Sequence, residues 1–238
     1  MSLTDQHVVV LGGTSGIGFA VAAGAAEQGA RITVVSSREE SVKRALAELP
    51  SGAAGLVADL GDTARIGELF EEIGPFDHLV YTAGEALLLS PLADLDLAAA
   101  RKFFELRYFG VLAAVQAAAS RVRPGGSITL TTGTASPRPV PGSTVPSSLC
   151  GAIEALTRAL AVELAPIRVN AVMPGVVRSP LWALPEEVLA DFYRDTAANT
   201  PLGRVGEVRE IARAFLFLLE QPHATGSIVT LDGGAVLA

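Results

Sequence analysis

The chain has 238 residues, half of them hydrophobic and 18% charged, enough apolar material for one large α/β domain rather than two small ones. A formal net charge of −7 with no basic run argues against nucleic acid as a partner, because phosphate contacts need clustered Lys and Arg. The lone Cys150 permits no intrachain disulfide and no cysteine metal cluster, Met1–His7 has no signal pattern, and no apolar stretch reads as long enough to span a bilayer; a cytoplasmic protein without membrane or metal is expected.

Apolar strands and amphipathic helices alternate with no repeat and no dividing linker, which predicts a parallel sheet covered by helices on both faces. Strands are expected over 7–11, 31–36, 54–58, 78–82, 127–132, 168–173 and 227–231. Helices are expected over 17–28, 39–49, 64–73, 147–164 and 207–219, with one long helix over 96–122 ended by Pro124-Gly125-Gly126. The four prolines of 136–146 exclude regular helix or central strand there. Residues 185–198 read as a mobile helical flap. Ile153, Leu156, Thr157, Leu160, Ala161 and Leu164 recur at helical spacing and form one buried stripe. His7, His78 and His223 are scattered and read as surface or strand-end residues rather than ligands.

Directly after the first strand the chain reads Gly12-Gly13-Thr14-Ser15-Gly16-Ile17-Gly18. Of the three spaced glycines, the first permits a tight turn, the second lets backbone approach phosphate, and the third lets the helix pack on the sheet. Free N–H groups at the helix start then face a pyrophosphate, helped by the helix dipole. The second strand ends Ser36-Ser37-Arg38, without the acidic residue that bonds a ribose 2′-hydroxyl. Ser37 and Arg38 suit a 2′-phosphate instead, which points to NADPH/NADP; the alternative is that Arg38 caps a solvated loop and pairs with Glu39 or Glu40.

Gly12–Gly18, Asp59-Leu60, Ala83-Gly84, Arg168-Val169-Asn170, Pro174-Gly175 and Asp232-Gly233-Gly234 together resemble the short-chain dehydrogenase/reductase family, in its order and spacing, over nearly the whole chain. The resemblance implies a single Rossmann-type, doubly wound α/β domain over 1–238 with a small substrate flap around 180–200. It also implies that Asp59 and Leu60 border the adenine and that Ala83 and Gly84 run beside the ribose. Pro174, Gly175, Val177 and Ser179 would hold the nicotinamide end. The small-residue-rich helices over 96–122 and 147–164 resemble the family's dimerisation faces, so a homodimer or homotetramer is expected.

In that family a Tyr hydroxyl passes the proton while the nicotinamide passes hydride. A Lys four residues later supports the Tyr, a Ser orients the carbonyl, and an Asn supports a proton relay. Counting back without a gap from Glu163-Leu164 puts Pro146 at the Tyr and Cys150 at the Lys. Counting along Gly126–Gly133 puts Gly133 at the Ser, and Gly110 sets Arg107 at the Asn. The paired Asn before Ala-Gly is replaced by Tyr81-Thr82.

Three readings stay open: hydride transfer to a small organic carbonyl, imine or activated alkene with a non-standard proton source; a non-redox, cyclase-like reaction; or a catalytically silent binding protein. Phe103, Arg107, Val111, Ala114 and Ala118 share one helical face, and a guanidinium on that apolar stripe needs an anion or acceptor. Either a carboxylate such as Glu85 pairs with Arg107, or Arg107 polarises the small-molecule substrate. Ser147 and Ser148 either cap the helix that follows Pro146 or face the nicotinamide, and Ser147 is the second candidate catalytic residue. Thr132 and Thr134 flank the vacant Ser position. Cys150 lies on the buried stripe and reads as a core thiol rather than a nucleophile. Trp182 and Tyr193 either cover substrate or pack the flap.

Overall fold

The computed structural model describes residues 3–238. Val8–Leu11 of the first strand are fully buried, as expected of a parallel strand covered on both faces. That strand, β1 (His7–Leu11), is followed by α1 (Gly16–Glu27), β2 (Arg31–Ser36), α2 (Glu39–Glu48), β3 (Ala54–Val57), α3 (Thr63–Ile73) and β4 (Phe76–Tyr81). Then come α4 (Leu97–Phe104), a π turn (Glu105–Phe109), α5 (Gly110–Ala118), β5 (Val122–Thr131), α6 (Thr144–Glu163), β6 (Arg168–Pro174) and β7 (Val177–Arg178). The chain ends with α7 (Glu186–Ala198), β8 (Gly206–Glu207), α8 (Val208–Glu220) and β9 (Ile228–Leu231).

Seven strands form one parallel sheet in the order β3-β2-β1-β4-β5-β6-β9, and β7 pairs with β8 in a separate ribbon. The strand order reverses between β1 and β4, so the connections leaving their C-terminal ends run to opposite faces and open a crevice there. One core joins that sheet to α3, α5 and α6 through residues such as Phe70, Phe76, Ile128 and Ile153. The other lies under α1, α2 and α8 around Val10, Val34, Phe215 and Leu218. Gly24 lets α1 and α8 approach closely, since a Cβ there would stand 2.9 Å from Leu216 Cδ1.

Four expectations need correction. The long helix over 96–122 is divided: α4 passes into the π turn, α5 resumes, a 3₁₀ turn closes it at Ala119–Arg121, and Val122 already belongs to β5. Pro124-Gly125-Gly126 therefore lie in that strand, where β5 advances five residues between Val122 and Ser127 while β4 advances two, from Phe76 to His78. The helix expected from Ser147 begins at Thr144 and takes in Pro146. A proline in the first helical turn removes an N–H that has no intrahelical acceptor, so it does not break the helix. Finally, α6 matches a membrane span in length and hydropathy (20 residues, mean hydropathy 1.2), which the sequence reading overlooked; here Leu149, Ile153 and Leu160 of α6 lie in the core.

His78 also departs from expectation, being 2% exposed in the middle of β4. Its Nδ1 bonds Ser127 Oγ at 2.8 Å and its Nε2 bonds Gln6 Oε1 at 2.7 Å. Burial, reinforced by Arg168, pushes its pKa down to about 4. Below pH 6.5 the unfolded chain takes a proton that the folded chain refuses, so stability present above 6.5 is lost as pH falls and levels off near 4. We expect a loss of roughly 2–4 kcal/mol across that window in denaturant titrations, and a flatter profile for His78→Gln.

Candidate functional site

The crevice is built on glycine. Gly12 leaves β1 with φ +83°, and a Cβ there would stand 2.6 Å from the Ala83 nitrogen. A Cβ on Gly18 would collide with the Gly12 carbonyl and the Thr82 hydroxyl. Thr82 seals the junction by donating to the Leu11 carbonyl at 3.1 Å. Ser15, the N-cap of α1, is extended and makes no side-chain cap, so the first N–H groups of α1 have no side-chain acceptor. An uncapped helix start behind a turn too tight for side chains suits a pyrophosphate. Thr14 is buried behind the turn, and Ile17 packs on the α1 core. The segment after β7 comes over Gly16, whose Cβ position lies 3.7 Å from Pro180 Cδ and 3.9 Å from Ser179 Cβ.

Ser37 and Arg38 are exposed at the end of β2. Glu39 and Glu40 both pair with Lys43, at 2.9 and 3.5 Å, and among the described residues Arg38 has no carboxylate within ion-pair distance. The alternative pairing of Arg38 with Glu39 or Glu40 is therefore not formed. After β3, Asp59 Oδ1 accepts from Gly61 N–H at 2.9 Å, and Leu60 is a core residue. Gly175 N–H donates to the Leu231 carbonyl at 2.9 Å, and a Cβ on Gly175 would stand 2.8 Å from Asp232. Val177 is buried, and Ser179 N–H points at the Tyr193 hydroxyl at 3.4 Å. The flap aromatics are committed to packing: Trp182 Nε1 donates to the Val177 carbonyl at 2.8 Å and its ring meets Phe192 in a tilted contact, while Tyr193 is buried against Arg178. Hollows of about 300 and 490 Å³ lie beside Arg178 and Tyr193 and beside Pro201–Leu202, and none of the residues named for the cofactor lines them.

Arg107 sits inside the π turn. Its guanidinium lies over the Phe103 ring at 4.8 Å and fills the space beside Gly84, where a Cβ would stand 2.7 Å from Cζ. Nη2 donates to the main-chain carbonyl of Glu85 and not to its carboxylate, so of the two alternatives the ion pair with Glu85 is not formed. Nε is buried with no hydrogen-bond partner among the described residues. Burial pulls the Arg107 pKa down, opposed by Cys150, Tyr81 and Glu85, yet a guanidinium stays charged in any protein. The result is a fixed cation, held by one carbonyl and a ring face, with donor capacity to spare.

Gly133 faces Cys150, with a Cβ position 3.4 Å from Sγ. Burial pushes the Cys150 thiol up, opposed in part by Thr132 and Arg107, so it stays neutral at ordinary pH. Thr132 donates to the Cys150 carbonyl, and Thr134 N–H donates to the Pro174 carbonyl. Ser147 and Ser148 do not cap α6; the N-cap is Ser143. Ser147 Oγ pairs with Ser143 Oγ at 3.0 Å, and Ser148 Oγ donates to the Thr144 carbonyl. The sequence reading missed the Ser136 hydroxyl donating to the Glu154 carboxylate; the i,i+4 spacing of Cys150 and Glu154 was the available signal.

A family profile described as Enoyl-(Acyl carrier protein) reductase matches residues 12–236. The chain is 35% identical over 251 residues to short-chain dehydrogenase/reductase ATR9 of Stachybotrys chlorohalonatus, covering 99% of each. It is 38% identical over 252 residues to a 3alpha-hydroxysteroid dehydrogenase of Mediterraneibacter gnavus, covering 99% of this chain and 98% of that one. Among solved structures it is similar to a small-chain dehydrogenase in complex with NADPH, at TM-score 0.83 and 33% identity, over 98% of this chain and 100% of that one.

The packing at the glycine turn gives a direct test. Gly18→Val should lower the thermal midpoint through overpacking worth about 1–3 kcal/mol or more. Gly151→Ala, whose added Cβ meets nothing within 4 Å, should leave stability unchanged or raise it by up to about 1 kcal/mol.

Proposed function

This chain belongs to the short-chain dehydrogenase/reductase family of oxidoreductases, and from that premise we propose that it reduces a small organic carbonyl or imine with NADPH, using a fixed arginine in place of a tyrosine acid. A nicotinamide bound there would supply the hydride. The chain's residues do the rest. The backbone of Gly12, Thr14, Ser15, Gly16, Ile17 and Gly18 would hold the pyrophosphate. Ser37 and Arg38 would hold the 2′-phosphate, and Asp59 and Leu60 would border the adenine. Ala83 and Gly84 would flank the nicotinamide ribose. Pro174, Gly175, Val177 and Ser179 would hold the far end of the cofactor.

The observation that carries this reading is the half-buried Arg107 guanidinium beside Gly84, whose Nε is buried and unpaired among the described residues. Negative charge developing on a substrate oxygen would find those donors already oriented, in a setting that screens them less than water does. Neither Pro146 nor Gly133 has a side chain able to donate a proton, and the Cys150 thiol is a weak acid here, so the proton would reach the product from solvent. General acid catalysis contributes roughly 10²–10⁴-fold, a loss that an acceptor activated by its own substituents tolerates. Ser147, beside Pro146 in the first turn of α6, is the second polar group of the proposal. The exposed Phe109 and Val162, at 47% and 81%, support assembly as a homodimer or homotetramer through the neighbouring helices.

With carbonyl and imine panels and NADPH deuterated at the transferring carbon, deuterium should appear in product. Tight cofactor binding without deuterium transfer to any acceptor would end the redox reading. Arg107→Gln should lower kcat by about 10²–10³-fold while NADPH still binds. Arg38→Asp should weaken NADPH by about 10–100-fold and leave NADH little changed, measured by fluorescence titration; unchanged selectivity would remove the 2′-phosphate role.

A further inference from the structure

Tyr81 ends β4 with its phenol buried, and its hydroxyl donates to the Leu106 carbonyl at 2.7 Å. In an α-helix that carbonyl would accept from the Gly110 N–H. Here the Gly110 N–H reaches back to Glu105 instead, as the π turn requires. Tyr81 thus supplies the donor that the turn takes from Leu106. Gly110 makes room for the arrangement, since a Cβ there would stand 2.8 Å from the Tyr81 hydroxyl and 2.7 Å from the Leu60 carbonyl oxygen. One residue beyond Leu106, inside the same turn, Arg107 turns its guanidinium to Gly84 and the Glu85 carbonyl.

We propose that Tyr81 is the positioning residue for Arg107: by taking the Leu106 carbonyl, its hydroxyl holds the π turn in the form that keeps the guanidinium against Gly84. A straight helix would restore the Gly110–Leu106 bond, leave the phenol without its acceptor and rotate Arg107 relative to Phe103. The phenol is itself no proton donor to substrate, because burial pushes its pKa up and its proton is engaged by Leu106. The importance of this contact rests on the reading of Arg107 as the fixed charge of the site, but its test needs no turnover and so fails separately from that reading.

Cys150 is the single cysteine of the chain and reports where the guanidinium is. The groups acting on its thiol are Thr132, Glu154, Arg107 and the backbone at Gly133; of these Arg107 is the cation, and it favours the thiolate. The pH dependence of alkylation by iodoacetamide, read by intact mass on the full-length protein, gives the thiol midpoint. Arg107→Gln should move that midpoint up. Tyr81→Phe, checked for folding by circular dichroism, should move it up as well, with slower alkylation at every pH below the midpoint. A folded Tyr81→Phe protein with an unchanged midpoint would overturn the proposal, and so would an unchanged midpoint in Arg107→Gln. Should Tyr81→Phe not fold, Gly110→Ala crowds the same hydroxyl and is read the same way: a raised midpoint supports the proposal and an unchanged one overturns it.

Discussion

Between the ends of β1 and β4 there is no room for a side chain. The Gly12 turn, Gly18 in the first turn of α1 and the Thr82-Ala83 backbone lie so close that a single Cβ at either glycine would collide with main chain. That contact sets where α1 starts, and so aims its free N–H groups into the crevice. It also sets where β4 hands over to Gly84, and hence the wall against which Arg107 rests. The sheet order places this contact at the reversal between β1 and β4, so the place with least room for side chains borders the crevice.

The second feature is a charge partly withdrawn from water, with its Nε buried. A guanidinium whose neighbours are a ring face and one carbonyl is costly in a folded chain unless something offsets it. Elsewhere the protein partners its buried cation more fully: Arg168 donates to the Leu218 and Leu219 carbonyls at the end of α8, where the helix dipole also favours a cation. Arg107 has no such helix end, and one of its N–H groups stays unpaired. The contrast separates a cation that closes a helix end from one left with a donor to spare.

The parallel sheet, its continuous apolar strands and the glycine turn were legible because each rests on local pattern: β2 over 31–36 and β1 over 7–11 need no partner to be recognised. What pattern did not carry was geometry set by one long-range bond. The break in the helix around Arg107 depends on a tyrosine 26 positions earlier, and helical periodicity runs unbroken through it. Pro146 reads as a barrier in sequence, yet α6 starts two residues before it, because first-turn N–H groups have no intrahelical acceptor to lose. An arginine on that apolar stripe calls for an acceptor, but propensity cannot say that it would meet the Glu85 main-chain oxygen rather than its carboxylate.

The ribbon of β7 and β8 ties the root of α7 to the residues that open α8, with Arg178 bridging to Glu207 and Gly206 N–H donating to Val176. Beyond the other end of α7, Leu202 N–H donates to the Gly233 carbonyl. The chain is thus held on both sides of α7. Between the ribbon and α7 the chain lies against Gly16 through Ser179 and Pro180, so the glycine turn and the root of α7 share one contact, and a shift of either is felt by the other.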